Sequence, residues 1–267
     1  MLRFISFGSG SCGNCYYLYT EDYGLLIDVG VGIRKLKKYF LDYGFKFADV
    51  KAILVTHDHA DHVKAVGSFS NQIKVPVYAT EKVHDGIKRN YYVRKKVETN
   101  QIKYITPGET FMLGDMKITP FHVPHDSSDN VGYRICHKNI TFCLLTDVGH
   151  ITDEITHAIA SANYLVIEAN HDEEMLKSGP YPGHLKARVL GPYGHLSNHN
   201  CALTLVNYAT SQLKHVWLCH LSQENNHPEL ARKTVEMELK QAQRFDGTCV
   251  QLDVLRRNLP TGIFELQ

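Results

Sequence analysis

Ile53-Leu54-Val55-Thr56-His57-Asp58-His59-Ala60-Asp61-His62 is the stretch that decides the fold. An apolar run with strand character ends in three imidazoles and two carboxylates within six residues. Such a cluster is costly to bury unless a cation binds it. Mixed imidazole and carboxylate donors suit zinc, manganese or iron(II) rather than calcium, which prefers oxygen. On an extended segment, side chains two residues apart face the same way, so His57 and His59 can grip one ion. Asp61 and His62 follow where the chain turns, and can face a second ion. A solvated His-rich loop is the bland alternative, and the density of the cluster at a strand end argues against it.

Around this motif, strands and helices alternate. Phe4–Phe7, Tyr16–Tyr19 and Leu25–Asp28 read as strands, the first two flanking a glycine-rich loop. Ile33, Leu36, Phe40 and Tyr43 have helical spacing and Gly44 is a stop. A helix is expected from about Val63, then a strand Val75–Ala79, then a helix capped by Thr80 and running through Asn90. Lys117–Phe121, Val131–Cys136 and Ile140–Leu145 form a strand-rich middle. Thr152 starts a helix, Tyr164–Ile167 is a buried strand, Ser197 caps a helix to about Ala209, and Val216–Cys219 is a strand. Pro228 suits the first turn of a long helix ending near Gln243, and Cys249–Leu266 has strand-like stretches. No linker-like or repetitive segment interrupts the 267 residues, so one domain spanning 1–267 is expected.

Hydrophobic content of 43% and charged content of 21% describe a globular protein. The net charge of +1 excludes a globally basic nucleic-acid coat while leaving room for a local basic groove. No apolar run has the length of a membrane span and Met1–Phe4 carries no signal-peptide pattern, so a cytoplasmic protein is expected. Seven cysteines, an odd number scattered along the chain, argue against a disulfide framework. Cys12-Gly13-Asn14-Cys15 lacks a second C-x-x-C and is expected to make a tight turn rather than a redox or zinc site.

Three further strand ends terminate in polar residues: His125-Asp126 after Phe121-His122, Asp147 after Leu144-Leu145, and His220 after Trp217-Leu218-Cys219. Each alone has a structural explanation. Asp147 could cap a turn, His220 could be a satisfied core histidine, and His122 is expected to lie on the surface or behind a ligand. Their joint occurrence is informative, because strand ends in α/β proteins converge on one edge.

These residues resemble the metallo-β-lactamase superfamily, whose T-H-x-H-x-D-H signature and distal His, Asp and His are matched by Thr56–His62, His125, Asp147 and His220. Asp28 resembles its early strand-end aspartate. The resemblance implies an α/β fold (α+β in its segregated layers), a four-layer αβ/βα sandwich. It places one metal on His57, His59 and His125, and a second on Asp61, His62 and His220, with Asp147 bridging. Such ions lie roughly 3.5–4 Å apart and share a hydroxide nucleophile. Zinc and manganese both fit the ligands.

Within the superfamily the chain is most similar to the bacterial YycJ/VicX (WalJ) nuclease-like group. The resemblance is carried by Gly8–Asn14, Glu168-Ala169-Asn170-His171-Asp172, Gly194-His195-Leu196-Ser197-Asn198 and His220–Asn226, with Cys12 and Cys15 where serines are usual. It implies phosphodiester hydrolysis, as a 5′-to-3′ DNA exonuclease with DNA as partner and an association with repair proteins. His195 is then the candidate to assist the leaving group, with His171 a second candidate for proton transfer or substrate contact. Ser11 and Asn14 of the glycine-rich loop, with His195 and Ser197 at a helix start, are candidates for phosphate contact. Asp126 is expected to orient a neighbouring ligand. Lys88–Lys96 interleaves five cations with Tyr91 and Tyr92, residue types that neutralise a nucleic-acid backbone and stack on bases. Arg34, Lys35, Lys37 and Lys38 are expected on the exposed face of a helix. A glyoxalase II-like thioesterase would share every ligand, and a non-enzymatic regulatory protein stabilised by metal is a further alternative. The thioesterase is set apart by thioester hydrolysis without DNA degradation, the regulator by turning over no substrate.

Overall fold

The computed structural model describes residues 1–242 and 250–267. The chain falls into two compact units, one of Met1–Pro120, Ser127–Val131 and Arg256–Gln267, the other of Phe121–Asp126 and Gly132–Leu255. Two mixed sheets flanked by helices make this an α/β protein.

In the first sheet, β1 (Leu2–Gly8) pairs antiparallel with β2 (Cys15–Tyr19), and β2 with β3 (Gly24–Ile27). β3 then runs parallel to β4 (Val50–Leu54), which pairs through β5 (Val77–Ala79) with β6 (Ile102–Tyr104). The short strand Phe264–Leu266 closes the other edge against β1. β3 is buried along its whole length, as expected for a strand covered on both faces. Helix α1 (Ile33–Asp42) buries Leu36, Tyr39 and Phe40 at i, i+3, i+4 spacing. The aromatic core here chains Phe7 to Phe40, Phe40 to Phe47 and Phe47 to Phe69 at centroid distances of 5.4, 4.7 and 4.8 Å.

The segment after the histidine motif differs from the expected single helix near Val63. A one-turn helix, α2 (Ala60–Val63), starts within the motif, and α3 (Val66–Ile73) follows after a break at Lys64-Ala65. The early start turns Asp61 and His62 off the strand direction taken by His57. α4 (Glu81–Arg89) is capped by Thr80, whose hydroxyl accepts from the Val83 amide, and ends at Asn90.

The second sheet contains the hairpin β7 (Phe111–Leu113) and β8 (Met116–His122), then β9 (Val131–His137) antiparallel to β10 (Ile140–Leu145). β10, β11 (Tyr164–Glu168), β12 (His215–Cys219) and β13 (Gln251–Val254) run parallel, with β14 the Phe264–Leu266 strand of the first sheet. α5 (Asp153–Ser161), α8 (Asn198–Tyr208) and α9 (Pro228–Gln241) contribute Ile155, Ala202, Leu205 and Val235 to a core with Leu165, Ile167, Val216 and Leu218. Between β11 and α8 lie α6 (Glu173–Ser178) and α7 (Gly183–Leu190). The expected helix end near Gln243 and the start of the last segment at Cys249 lie outside the described residues. Among the described residues no helix is long and apolar enough to cross a membrane.

Candidate metal centre

Parallel pairing delivers the polar strand ends of the first unit to one edge. Ile27 of β3 is registered with Leu54 of β4, so Asp28 and Thr56-His57 emerge side by side. Asp28 is fully buried and sits in the left-handed backbone region with φ 58°. That conformation is costly for a non-glycine residue, and it is held by three bonds to the carboxylate. The Thr56 amide and hydroxyl each donate to it at 2.8 Å, and His62 Nδ1 lies 2.7 Å away.

These bonds fix the imidazoles. A carboxylate only accepts, so His62 carries its proton on Nδ1 and its lone pair on Nε2. Thr56 gives its one hydroxyl proton to Asp28, so its oxygen accepts from His57 Nδ1 at 3.0 Å. Both imidazoles are thereby held in the tautomer that ligates through Nε2. Ligand atoms of His57 lie within 4.8 Å of those of His59 and of His62, and the same holds for Asp61 and His62.

The neighbouring loop holds this arrangement. The Asn14 amide donates to the Asp61 carbonyl at 2.7 Å, Val29 N–H to the His62 carbonyl at 2.8 Å, and Asn14 Nδ2 reaches His62 Nε2 at 2.8 Å. A β-carbon at Gly30 would collide with the Asp61 carbonyl, so glycine is required for this approach. Asp58, the residue between the first two histidines, accepts from Ser128 N and Oγ, and its carbonyl accepts from Asn90 Nδ2 at 2.8 Å.

The second unit repeats the strand-end logic. β10, β11 and β12 are adjacent and parallel, with Leu145 registered on Ile167 and Ile167 on Leu218. Asp147, Glu168 and His220 therefore arrive together, and with His195 they offer ligand atoms within 4.8 Å of one another. Asp147 and His220 are also left-handed, with φ of 57° and 53°. Thr146 Oγ1 donates to Asp147 Oδ2 at 2.7 Å, and His220 Nδ1 lies 3.3 Å from Asp147 Oδ1.

Glu168 organises this group. Its Oε1 accepts from Nδ1 of His195 and of His220, both at 2.9 Å, and its Oε2 accepts the amides of Val148 at 2.8 Å and Leu196 at 3.0 Å. With four bonds on two oxygens it supports ligands rather than serving as one. Burial alone would raise its carboxyl, but the His195 charge and the hydrogen bonds from His195 and His220 outweigh this and bring it to about 2. Burial likewise opposes the charged form of His195, and the Glu168 charge and hydrogen bond raise that imidazole above its ordinary value. His125 donates Nδ1–H to the Gly194 carbonyl at 3.0 Å, which again leaves the lone pair on Nε2.

The Gly194 carbonyl accepts from His125 Nδ1, while Asp126 Oδ1 lies 3.3 Å from His125 Nε2 and is itself held by Arg188 through a two-nitrogen contact. Asn14 is not a phosphate contact, because its side chain is consumed by Gly10, Asp61 and His62. The amides of Ser9, Gly10, Gly13 and Asn14 already have acceptors within the protein. Ser11 is exposed at the tip of the loop. Ser197 is committed to the start of α8, accepting from Asn200 N and donating to Glu173. His122 is exposed, as expected. His171 is buried beside Glu168 and His195, and neither ring nitrogen has a hydrogen-bond partner among the described residues. Cys12 is exposed at the turn, while Cys15 is buried in β2, where burial pushes its thiol up. Glu168 is the residue whose role sequence reasoning missed, although the apolar run Tyr164–Ile167 ending in a carboxylate is the same signal that marked Asp147.

Residues 24–221 match the model of the beta-lactamase superfamily domain, and the chain belongs to that superfamily. It is a metal-dependent hydrolase, of a fold that uses divalent metal. The chain is 34% identical over 262 residues to exodeoxyribonuclease YycJ of Bacillus anthracis, covering 98% of each chain. It is 38% identical over 234 residues to exodeoxyribonuclease WalJ of Streptococcus pneumoniae, covering 88% of this chain and 87% of the other. Among solved structures, the metallo-β-lactamase fold protein YhfI of Bacillus subtilis superposes with a TM-score of 0.69 at 17% identity, covering 98% of this chain and all of that one.

Proposed function

We propose that this protein is a two-metal phosphodiesterase that degrades DNA from the 5′ end, residues 1–267 working as one catalytic domain. The observation that carries the reading is similarity along nearly the whole chain to two exodeoxyribonucleases, on a fold whose strand ends carry tautomer-fixed imidazoles. The superfamily pattern assigns His57, His59 and His125 to one ion, Asp61, His62 and His220 to the other, and Asp147 to both. The donor set fits zinc or manganese, and in each of His57, His62, His125 and His220 an oxygen acceptor holds Nδ1–H. When bound, the ions supply an acidified water and neutralise charge on the attacked phosphoryl group.

The remaining requirement is a proton for the departing sugar oxygen. His195 is assigned that task. Glu168 fixes its Nδ1 and sustains its protonated form, while Nε2 makes no hydrogen bond within the described residues. His171 is placed behind this pair, in reserve for proton transfer or substrate contact. Association with DNA-repair proteins and action in the cytoplasm follow from the same reading.

The test uses the purified protein with zinc or manganese and DNA labelled separately at each end, with Asp147→Ala and a chelated sample as controls. Early release of the 5′ label, absent in both controls, is the expected result. Early release of the 3′ label overturns the polarity. Intact DNA at verified metal occupancy overturns the nuclease reading and directs attention to thioesters.

A further inference from the structure

Two cavities of about 460 and 510 Å³ open on the surface of the first unit and share Gly32, Ile33, Lys64 and Arg94 in their walls, so they form one continuous cleft. The walls carry five cations, Arg34, Lys35, Lys64, Arg94 and Arg257, and no carboxylate. Arg34, Lys35, Lys64 and Arg94 make no ion pair among the described residues. On a chain of net charge +1 with 28 acidic residues, an acid-free run of five cations is a local field rather than a consequence of composition.

At one end of the cleft stand Tyr91 and Tyr92, 90% and 65% exposed, with ring centroids 5.9 Å apart in an edge-to-face arrangement. Both rings are therefore available to a ligand. Their loop is nevertheless fixed. Lys96 Nζ donates to the carbonyls of Ile87 and Asn90, and Asn90 reaches back to the carbonyl of Asp58 inside the histidine motif. At the other end the wall includes Cys12 and Gly13, one residue from the Asn14 that contacts Asp61 and His62. Lys64, shared by both cavities, follows His62 by two residues. The cleft thus runs beside the segment that carries four of the proposed ligands, and its position is tied to that segment by hydrogen bonds.

We propose that this cleft is the track for single-stranded DNA, with Arg34, Lys35, Lys64, Arg94 and Arg257 neutralising successive phosphates and Tyr91 and Tyr92 stacking on bases. A cationic groove ending in exposed rings is the chemistry of sequence-independent single-strand binding. A duplex keeps its base faces stacked and hidden, so exposed tyrosines favour the unpaired strand. The proposal rests on the nuclease reading for the identity of the polyanion.

The test measures binding of a fluorescent oligothymidylate with phosphorothioate linkages, which resist digestion, to the intact protein across a salt series. Arg34→Ala with Arg94→Ala is compared with Arg232→Ala with Lys240→Ala, an equal charge change at exposed positions on α9. The cleft pair is expected to weaken binding about tenfold and to flatten the logarithmic salt dependence by roughly 1.4, about 0.7 for each lost phosphate contact. Tyr91→Ala with Tyr92→Ala is expected to weaken binding about tenfold with the salt slope unchanged. A wild-type thermal transition in each variant shows that the fold is intact. A variant-independent readout is alkylation of Cys12, mapped by mass spectrometry, which bound oligonucleotide should suppress. Wild-type affinity in the cleft pair, binding no weaker than that of the α9 pair, or unprotected Cys12 overturns the cleft. If wild-type protein still digests DNA in that case, the nuclease reading stands. Cleft-dependent binding without digestion by the metal-loaded protein leaves the cleft and overturns the nuclease reading. Competition by polyglutamate as effective as that by oligothymidylate of equal charge overturns the assignment to nucleic acid.

Discussion

Glu168 has two buried oxygens facing four donors, two imidazole N–H groups on one side and two backbone amides on the other. Glu168→Gln keeps the shape but replaces one acceptor oxygen by a donor, which must then face either the histidines or the amides. Buried donors set against each other, with one carboxylate charge lost, cost about 3 kcal/mol. The expected result in urea unfolding is a loss of that size, with metal affinity lower by roughly 10–100-fold in a chelator competition. A variant as stable as wild type and equally tight for metal would show that Glu168 does not hold His220. His195→Ala separates the second function of this group. Loss of the proton donor should lower turnover on DNA by about 100-fold or more. A phosphodiester with a p-nitrophenolate leaving group needs little protonation, so the loss there should be only a few-fold. Equal losses on both substrates would assign His195 to positioning instead.

At the scale of elements, the site is built by parallel pairing. β3 beside β4, and β10 beside β11 and β12, bring Asp28 to Thr56-His57 and Asp147 to Glu168 and His220. The glycine-rich loop then locks the first group through a backbone approach that only Gly30 permits. Gly30→Ala should therefore push Asp61 away from His62, costing about 1–3 kcal/mol in stability and weakening metal binding, both measurable by thermal melts with and without metal. An unchanged melt would show that the loop moves aside freely. The same view explains what was legible in the sequence. Of the proposed ligands, His57, Asp147 and His220 each follow an apolar run, a local pattern. Glu168 ends such a run too, but its task depends on which strands are neighbours, and no local pattern records that. The partners of Asn14 and Ser197 are hidden from the sequence for a related reason, since they lie 47 and 24 residues away at Asp61 and Glu173. α7 escaped notice because none of its residues is buried, leaving no periodic apolar face to detect. β6 and β7 are three residues long and have no buried position, too little for an alternation to show.

For the molecule as a whole, the proposed ligand set spreads from His57 to His220, so metal binding and folding should be linked. Ions that bind the folded chain and not the unfolded one stabilise it by about 2.7 kcal/mol per site at a hundredfold excess over the dissociation constant. Two sites would give roughly 5 kcal/mol, and a chain of this size gains about 2–4 °C in Tm per kcal/mol. Adding zinc or manganese to chelator-treated protein should therefore raise Tm by roughly 10–20 °C. Asp147→Ala, which removes the ligand shared by both ions, should lose most of that rise while its metal-free Tm stays near or above that of wild type, because a buried, strained carboxylate has gone. That combination is what separates a metal ligand from a structural aspartate. A residue needed only to cap the turn at Val148 would lower the metal-free Tm and leave the metal-induced rise intact, and that outcome would remove Asp147 from the ligand set.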